Sequence, residues 1–322
     1  MTAAAPALTE LLARFRAGRV GALARGISWV EDGHPLAAAL LEAVHADTGR
    51  AWRTGLTGPP GAGKSTLVDA LARHWAAAGR RLGLLAVDPS SPFTGGALLG
   101  DRIRMDASTG EHGVFVRSMA SRGSLGGLSL ATGAAADLMD AFGFEELLLE
   151  TVGVGQAEID VAAAADTTVV VLTPASGDGV QAMKAGLMEA ADVFVVNKAD
   201  TPGADRLRNE IEQTLDLRDP SSPRPPVLLC SASRGEGVVE LAAAIERRRE
   251  EDRAAGRLDT RRRDRDLARV RRVFTESLRA RLWDGDGLRE RARVALEAGA
   301  RPDSTALQLA DEVLRRIREP KS

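Results

Sequence analysis

The chain has no tyrosine, one cysteine, four histidines and only 3% aromatic residues in 322. Each scarcity closes off a class of function. A single thiol excludes a disulfide framework within one chain, and Cys230, inside the apolar run Val227–Cys230, reads as a core residue. Few aromatics leave little for stacking bases. Forty-three basic against 45 acidic residues give a formal charge of −2, so no global field points to nucleic acid. No stretch approaches the roughly 18 uncharged apolar residues of a membrane span. The start, MTAAAPALTELLARF, carries Glu10 and Arg14 and lacks a basic segment followed by an apolar block, so no signal peptide is read there. These absences predict a cytoplasmic protein that engages neither nucleic acid nor membrane. Hydrophobic residues, at 44%, are ample for a core.

What is present falls into three parts. Residues 1–50 read as a helical segment, with Leu8, Leu11, Leu12, Phe15, Val20, Leu23, Ile27 and Val30 at three- and four-residue intervals and a second periodic run over Ala37–Val44. Residues 51–245 alternate short apolar runs with helical stretches. The predicted strands are Thr54–Thr57, Leu82–Val87, Val114–Arg117, Leu147–Thr151, Thr168–Leu172, Val193–Val196 and Val227–Cys230. Runs such as VVVL suit strands buried on both faces, and the alternation predicts an α/β fold with a mostly parallel, doubly wound sheet. Residues 246–322 read as a C-terminal helical extension. Its first part, 246–272, carries 12 basic and 7 acidic side chains and reads as a solvated helix laced with i,i+4 pairs. Two more helices are expected, about Asp264–Leu282 and Thr305–Arg318, separated by the Gly- and Pro-containing segment 285–303. One apolar stripe, Leu267, Val270, Phe274, Leu278 and Leu282, needs a partner: a packed appendage or a dimer arm.

The strongest motif is GLTGPPGAGKST, with Gly58, Gly63, Lys64 and Ser65 at the G-x-x-x-x-G-K-[ST] spacing between a strand and a helix. Only glycine tolerates the angles that turn successive N–H groups inward around a phosphate, so Gly58, Gly61 and Gly63, with Ala62 between the last two, form the cradle. Lys64 neutralises β- and γ-phosphates, Ser65 can ligate Mg²⁺, and Thr66 follows at the helix start. This makes the chain a P-loop NTPase. VNKAD supplies Asn197, Lys198 and Asp200 at another strand end, and CSAS supplies Ser231, Ala232 and Ser233 after the next. A carboxylate in the base plane accepts from guanine N1–H and the 2-amino group, a donor pair that adenine lacks. The expected nucleotide is GTP, or GDP after hydrolysis.

The stretch ETVGVGQ, from Glu150, has Glu-x-x-Gly where the commonest GTPases read Asp-x-x-Gly. A glutamate at the end of a strand beside the P-loop strand can hold Mg²⁺, with one more methylene of reach. Gly153 would let a backbone N–H feel the γ-phosphate. Ras-like proteins place glutamine after that glycine; here it is Val154, which predicts slow hydrolysis that a partner accelerates. Asp88, ending LGLLAVD, and Asp101, in SPFTGGALLGDRIRM, are candidate Mg²⁺ or water-orienting carboxylates, or else caps and loop acids. PASGDGVQAMKAG, with Asp178, Gln181 and Lys184, follows a strand at the edge where open sheets bind ligands; on chemistry alone Lys184 is as readily a surface lysine.

Together, AVDPSSPFTGGALLGDRIRM, RSMASRGSLGGLS, ETVGVGQAEID, GDGVQAMKAG and VNKAD resemble the methylmalonyl-CoA mutase-associated GTPases. The resemblance covers roughly residues 20–245, and the tail more loosely. It implies a homodimeric chaperone that uses GTP to gate adenosylcobalamin loading and to protect or reactivate an adenosylcobalamin-dependent acyl-CoA mutase. It also implies that Lys64 and Ser65 serve the phosphates, that Asp88, Asp101 and Glu150 are the Mg²⁺ and catalytic carboxylates, and that Lys184 lies in an additional switch loop. Cobalamin itself is expected to stay with the mutase. Three other readings stand beside this one. One is a binding module in which hydrolysis is incidental and the dimer merely scaffolds the client. A metallochaperone GTPase would need a His/Cys depot, whereas His34, His45, His74, His112 and Cys230 are scattered. A P-loop small-molecule kinase would need a substrate pocket in place of the guanine motif.

Overall fold

The computed structural model describes residues 4–88, 114–120, 127–151, 161–175, 185–217, 223–285 and 287–318. Three helices come first: α1 (Ala4–Arg16), α2 (Val20–Glu31) and α3 (Ala37–Val44). They are followed by β1 (Trp52–Thr57), α4 (Lys64–Ala77), β2 (Leu82–Asp88), β3 (Phe115–Ala120), α5 (Gly127–Ala141) and β4 (Glu146–Thr151). Then come β5 (Thr167–Leu172), α6 (Ala185–Ala190), β6 (Val193–Val196), α7 (Ala204–Leu215), β7 (Val227–Leu229) and α8 (Val238–Ala254). The tail holds α9 (Arg257–Leu278), a wider π-type winding (Arg279–Gly285), α10 (Leu288–Glu297) and α11 (Pro302–Arg318).

The seven described strands form one parallel sheet in the order β3-β2-β4-β1-β5-β6-β7. Side chains alternate between its faces, as strand geometry requires. Leu56, Leu84, Leu148, Val169, Val171, Val193 and Val195 meet α4 and α8 through Leu67, Leu71, Trp75, Leu241 and Ile245. The alternate residues turn the other way. Leu85, Val87, Leu147 and Leu149 pack with α1, α2, α3 and α5 through Leu11, Phe15, Leu23, Ile27, Leu40 and Leu138. At the other end of that face, Val170, Leu172, Phe194 and Val196 pack with Leu207, Ile211 and Leu215 of α7. Strands apolar on both faces are what a sheet covered by helices on both sides demands.

The chain divides into two compact units, Met1–Arg265 and Asp266–Ser322. In the first, the arginine run departs from a solvated helix. Arg248–Asp252 keeps the four-residue spacing, but Arg248, Arg249, Arg261, Arg262 and Arg265 reach across the fold to acids at the amino edge of the sheet. Arg262 and Arg265 pair with Asp166 at 2.8 and 2.9 Å, and Arg53 lies on Asp137 at 2.7 Å. Arg248 and Arg261 pair with Asp192 at 3.1 and 2.9 Å, and Arg249 and Arg80 share Glu146. Asp166, Asp192 and Glu146 are buried, and a buried carboxylate is tolerable only when paired and hydrogen-bonded. The i,i+4 reading sees charge within one helix and misses partners far away in sequence.

In the second unit the segment 285–303 contains a helix, where a separator was expected. Its glycines and proline stand at the ends: Gly287 (φ 73°) precedes α10, Gly299 (φ 85°) follows it, and Pro302 opens α11. Between them LRERARVALE consists mostly of strong helix formers. Arg291 pairs with Glu312 between α10 and α11, and Leu288, Ala292 and Thr305 are buried.

Candidate functional site

The carboxyl ends of β1, β4, β5 and β6 converge on one loop. β1 delivers residues 58–63, which turn into α4 at Lys64. Gly58 has φ 138°, and a Cβ there would lie 2.1 Å from the Val171 carbonyl oxygen on β5. Gly63 has φ 84°, and a Cβ would lie 2.4 Å from Asn197 Nδ2. Both positions therefore require glycine on angle and on space. Gly63 is the N-cap of α4 and brings no capping side chain, which leaves the first N–H groups of the helix facing the loop, where an anion is stabilised.

Lys64 is buried and curls back over the loop, donating from Nζ to the carbonyl oxygens of Gly58 (2.7 Å) and Pro59 (3.1 Å). These neutral acceptors are weaker partners than phosphate oxygens. Glu150 pairs in register with Leu56 of β1, so it points to the face that carries α4. That parity brings the Ser65 hydroxyl to Glu150, donating to Oε1 at 2.5 Å. Glu150 is 1% exposed. A hydroxyl and a buried carboxylate in contact beside a phosphate loop fit the hard-oxygen preference of Mg²⁺, which takes one or two protein oxygens and fills the rest of its shell with phosphate and water. Among the described residues no group of three or more His, Cys, Asp or Glu side chains is arranged to hold a metal ion.

β6 ends at Val196, and Asn197 is buried just beyond it. Its Nδ2 donates to the Ala62 carbonyl (2.8 Å) and its Oδ1 accepts from Ala232 N–H (3.1 Å). One amide thus ties the phosphate loop to the CSAS turn. Lys198 has φ 57°, alone in positive φ among the described non-glycine residues, and its Nζ donates to the Gly61 carbonyl at 2.8 Å. That left-handed backbone is a local strain of the kind that clusters at binding sites. Asp200 Oδ1 accepts from the Ser231 hydroxyl at 2.7 Å, and Oδ2 lies 3.2 Å from the Arg234 guanidinium. The Ser231 hydrogen bond, its own backbone N–H and the Arg234 charge hold the Asp200 carboxyl below its ordinary range. Ser231 also bridges Glu236 through both backbone bonds, closing the turn 231–236. Cys230 is buried with Sγ on the Gly237 carbonyl, and burial pushes its thiol up to about 12.

The structure therefore brings together Gly58, Gly61, Ala62, Gly63, Lys64, Ser65, Glu150, Asn197, Lys198, Asp200, Ser231 and Ala232. Thr66 and Ser233 are exposed. The Asp88 backbone closes β2 on the same sheet edge, while its side chain, Asp101, Gly153, Asp178, Gln181 and Lys184 lie outside the described residues. The residue that sequence reading passed over is Arg234. Its signal was its place directly after CSAS, in the turn that carries Ser231.

A parallel sheet with this loop at its carboxyl edge and a strand-borne glutamate against the loop's serine defines a P-loop nucleotide hydrolase. The chain belongs to the family described as methylmalonyl-CoA mutase-associated GTPase MeaB, whose model matches residues 23–286, and it is accordingly a GTPase. It is 48% identical over 262 residues to a putative GTPase of Pyrococcus abyssi, covering 80% of this chain and 81% of that protein. Identity to a probable GTPase of Mycobacterium tuberculosis is 38% over 316 residues, with 95% and 94% covered. A mouse protein named methylmalonic aciduria type A homolog, mitochondrial, is 39% identical over 243 residues, 70% of this chain and 59% of that one. Among solved structures, one titled as an LAO/AO transport system kinase superposes with TM-score 0.73 at 29% identity, covering 95% of this chain and 97% of that one.

Proposed function

We propose that this GTPase gates adenosylcobalamin loading onto an adenosylcobalamin-dependent acyl-CoA mutase and protects or reactivates that enzyme. The observation that carries the nucleotide half is the Ser65–Glu150 contact at the mouth of the phosphate loop. The client half is supported by the family's description and by the mouse relative's name.

In this reading Lys64 leaves the Gly58 and Pro59 carbonyls for β- and γ-phosphate oxygens, exchanging neutral acceptors for charged ones. Ser65 and Glu150, with Asp88 and Asp101, would hold Mg²⁺, and the ion when bound would supply positive charge to the phosphates. Asp200 reads guanine, and Lys198 lays its stem along the base. Asn197 keeps base site and phosphate site in fixed relation, because it bonds to both loops. Gly153 senses the γ-phosphate, and Val154 offers no side chain to orient water, so hydrolysis is slow until a partner contributes. Asp178, Gln181 and Lys184 form the coupling segment that meets the mutase, which keeps the cobalamin. The stripe Leu267, Val270 and Phe274, 69%, 64% and 63% exposed, is covered by a second copy, making a cytoplasmic homodimer.

The test is GTP turnover by the purified chain, alone and with a panel of adenosylcobalamin-dependent acyl-CoA mutases. Stimulation by one of them, reduced in Lys184→Ala, names the client. Fast unassisted turnover, or no stimulation by any mutase, sinks the client reading. Transfer of labelled γ-phosphate to a small molecule would put a kinase in its place.

A further inference from the structure

We infer that Arg234 is a positioning residue for base selection: its ion pair with Asp200 fixes the carboxylate in the plane where guanine is read. This rests on the reading of Asp200 as the guanine acceptor. A carboxylate offers about four lone-pair directions on two oxygens. Guanine needs two of them at once, one for N1–H and one for the 2-amino group. Ser231 holds Oδ1 at 2.7 Å and Arg234 holds Oδ2 at 3.2 Å. With Ser231 hydrogen-bonded to one oxygen and the Arg234 charge drawing the other, the plane of the carboxylate is held in one direction, and with it the two remaining lone pairs. With Ser231 alone, Oδ1 is anchored and Oδ2 swings.

The backbone supports this arrangement. Arg234 N–H donates to the Ser231 carbonyl at 3.0 Å, and Ser231 is bonded in both directions to Glu236, so both partners of Asp200 sit on one closed turn. Asn197 anchors that turn to the phosphate loop through Ala232. Arg234 is itself more than half exposed, so its removal disturbs no packing and its effect is modest, as for exposed ion pairs generally.

The consequence is selective. Hypoxanthine keeps N1–H and lacks the 2-amino group, so it needs one acceptor where guanine needs two. Loss of Arg234 should therefore weaken GDP more than IDP. The experiment measures GDP, IDP and XDP dissociation constants for the full chain and for Arg234→Ala, Arg234→Lys and Asp200→Asn. The expected result is a GDP-to-IDP preference about three- to tenfold smaller in Arg234→Ala, partly restored in Arg234→Lys, with unfolding midpoints unchanged. An unchanged preference, or tighter GDP binding because Arg234 had been blocking the carboxylate, overturns the inference. Asp200→Asn separates the two levels. An asparagine amide can donate to the 2-oxo group of xanthine, so preference should move from GDP to XDP. If it does not, the guanine reading of Asp200 fails; if it does and Arg234→Ala is silent, only the role of Arg234 fails.

Discussion

At the carboxyl edge of the sheet, Lys64 rests on two neutral carbonyls and Asp200 on a hydroxyl and a half-exposed arginine. At the amino edge, Asp166 is fully buried beneath Arg262 and Arg265 and also accepts the Arg53 backbone N–H at 3.1 Å. In the first set, the Lys64 partners can be exchanged for a nucleotide at little cost, because each is weaker than the phosphate oxygen that replaces it. The Asp200 partners stay in place and leave two lone pairs for the base edge. The second set has nothing to be exchanged for. Its arginines come from α9, and their pairs fasten the start of that helix beneath the sheet. The same elements therefore carry ligand chemistry at one end and anchorage at the other.

The comparison breaks most visibly at Asp166. Asp166→Ala leaves two arginines over a buried site without their carboxylate and should destabilise the chain by about 3–5 kcal/mol, read as a fall in the urea midpoint. GTP turnover per folded molecule should stay within about twofold, because the nucleotide lies at the opposite edge. Lys64→Ala should behave in reverse. Turnover falls at least about 100-fold, while the urea midpoint moves much less than in Asp166→Ala.

Acid sharpens the contrast further. Burial pushes the Asp166 carboxyl upward, but the Arg262 hydrogen bonds and the charges of Arg265, Arg262 and Arg53 outweigh it, so it titrates below its ordinary value of 3.8. A carboxyl lowered on folding contributes stability that is complete above 3.8 and is lost as pH falls through the lowered value. Glu146 has the opposite sign. Burial raises it above 4.5, and Arg249 and Arg80 offset this only in part, so its contribution is complete below 4.5 and is lost as pH rises through the raised value. Asp166→Asn should therefore lose the steepest part of the acid limb below about pH 4, seen in urea midpoints measured across that range. The smallest effect concerns Cys230. With its thiol raised to about 12 by burial, it should resist iodoacetamide in the native protein and react only on unfolding.

Much of the nucleotide site was legible because its motifs are local. Gly58 to Ser65 must be contiguous to wrap one phosphate chain, and Asn197 to Asp200 must be contiguous to reach one base edge, so both could be read from spacing. The seven strands were legible for a related reason, since strands such as Thr167–Leu172 are buried on both faces and read as unbroken apolar runs. The amino-edge network was not. Arg262 meets Asp166 across 96 residues and Arg261 meets Asp192 across 69, and no local rule links a helix arginine to an aspartate on a distant loop. The stretch 246–272 was accordingly read by its own periodicity as a solvated face.

By itself, the sequence determined the phosphate loop, the guanine motif, the strand positions and the glutamate that replaces aspartate at position 150, because each is a contiguous pattern with one chemical use. Tertiary structure decided which face Glu150 takes, since register with Leu56 sets its parity toward Ser65. It decided that Asn197 joins two loops through opposite ends of one amide, and that Arg234 reaches the second oxygen of Asp200. It also decided that the arginines of α9 close over buried acids. Each of these depends on which strands become neighbours, and chain order alone does not fix that.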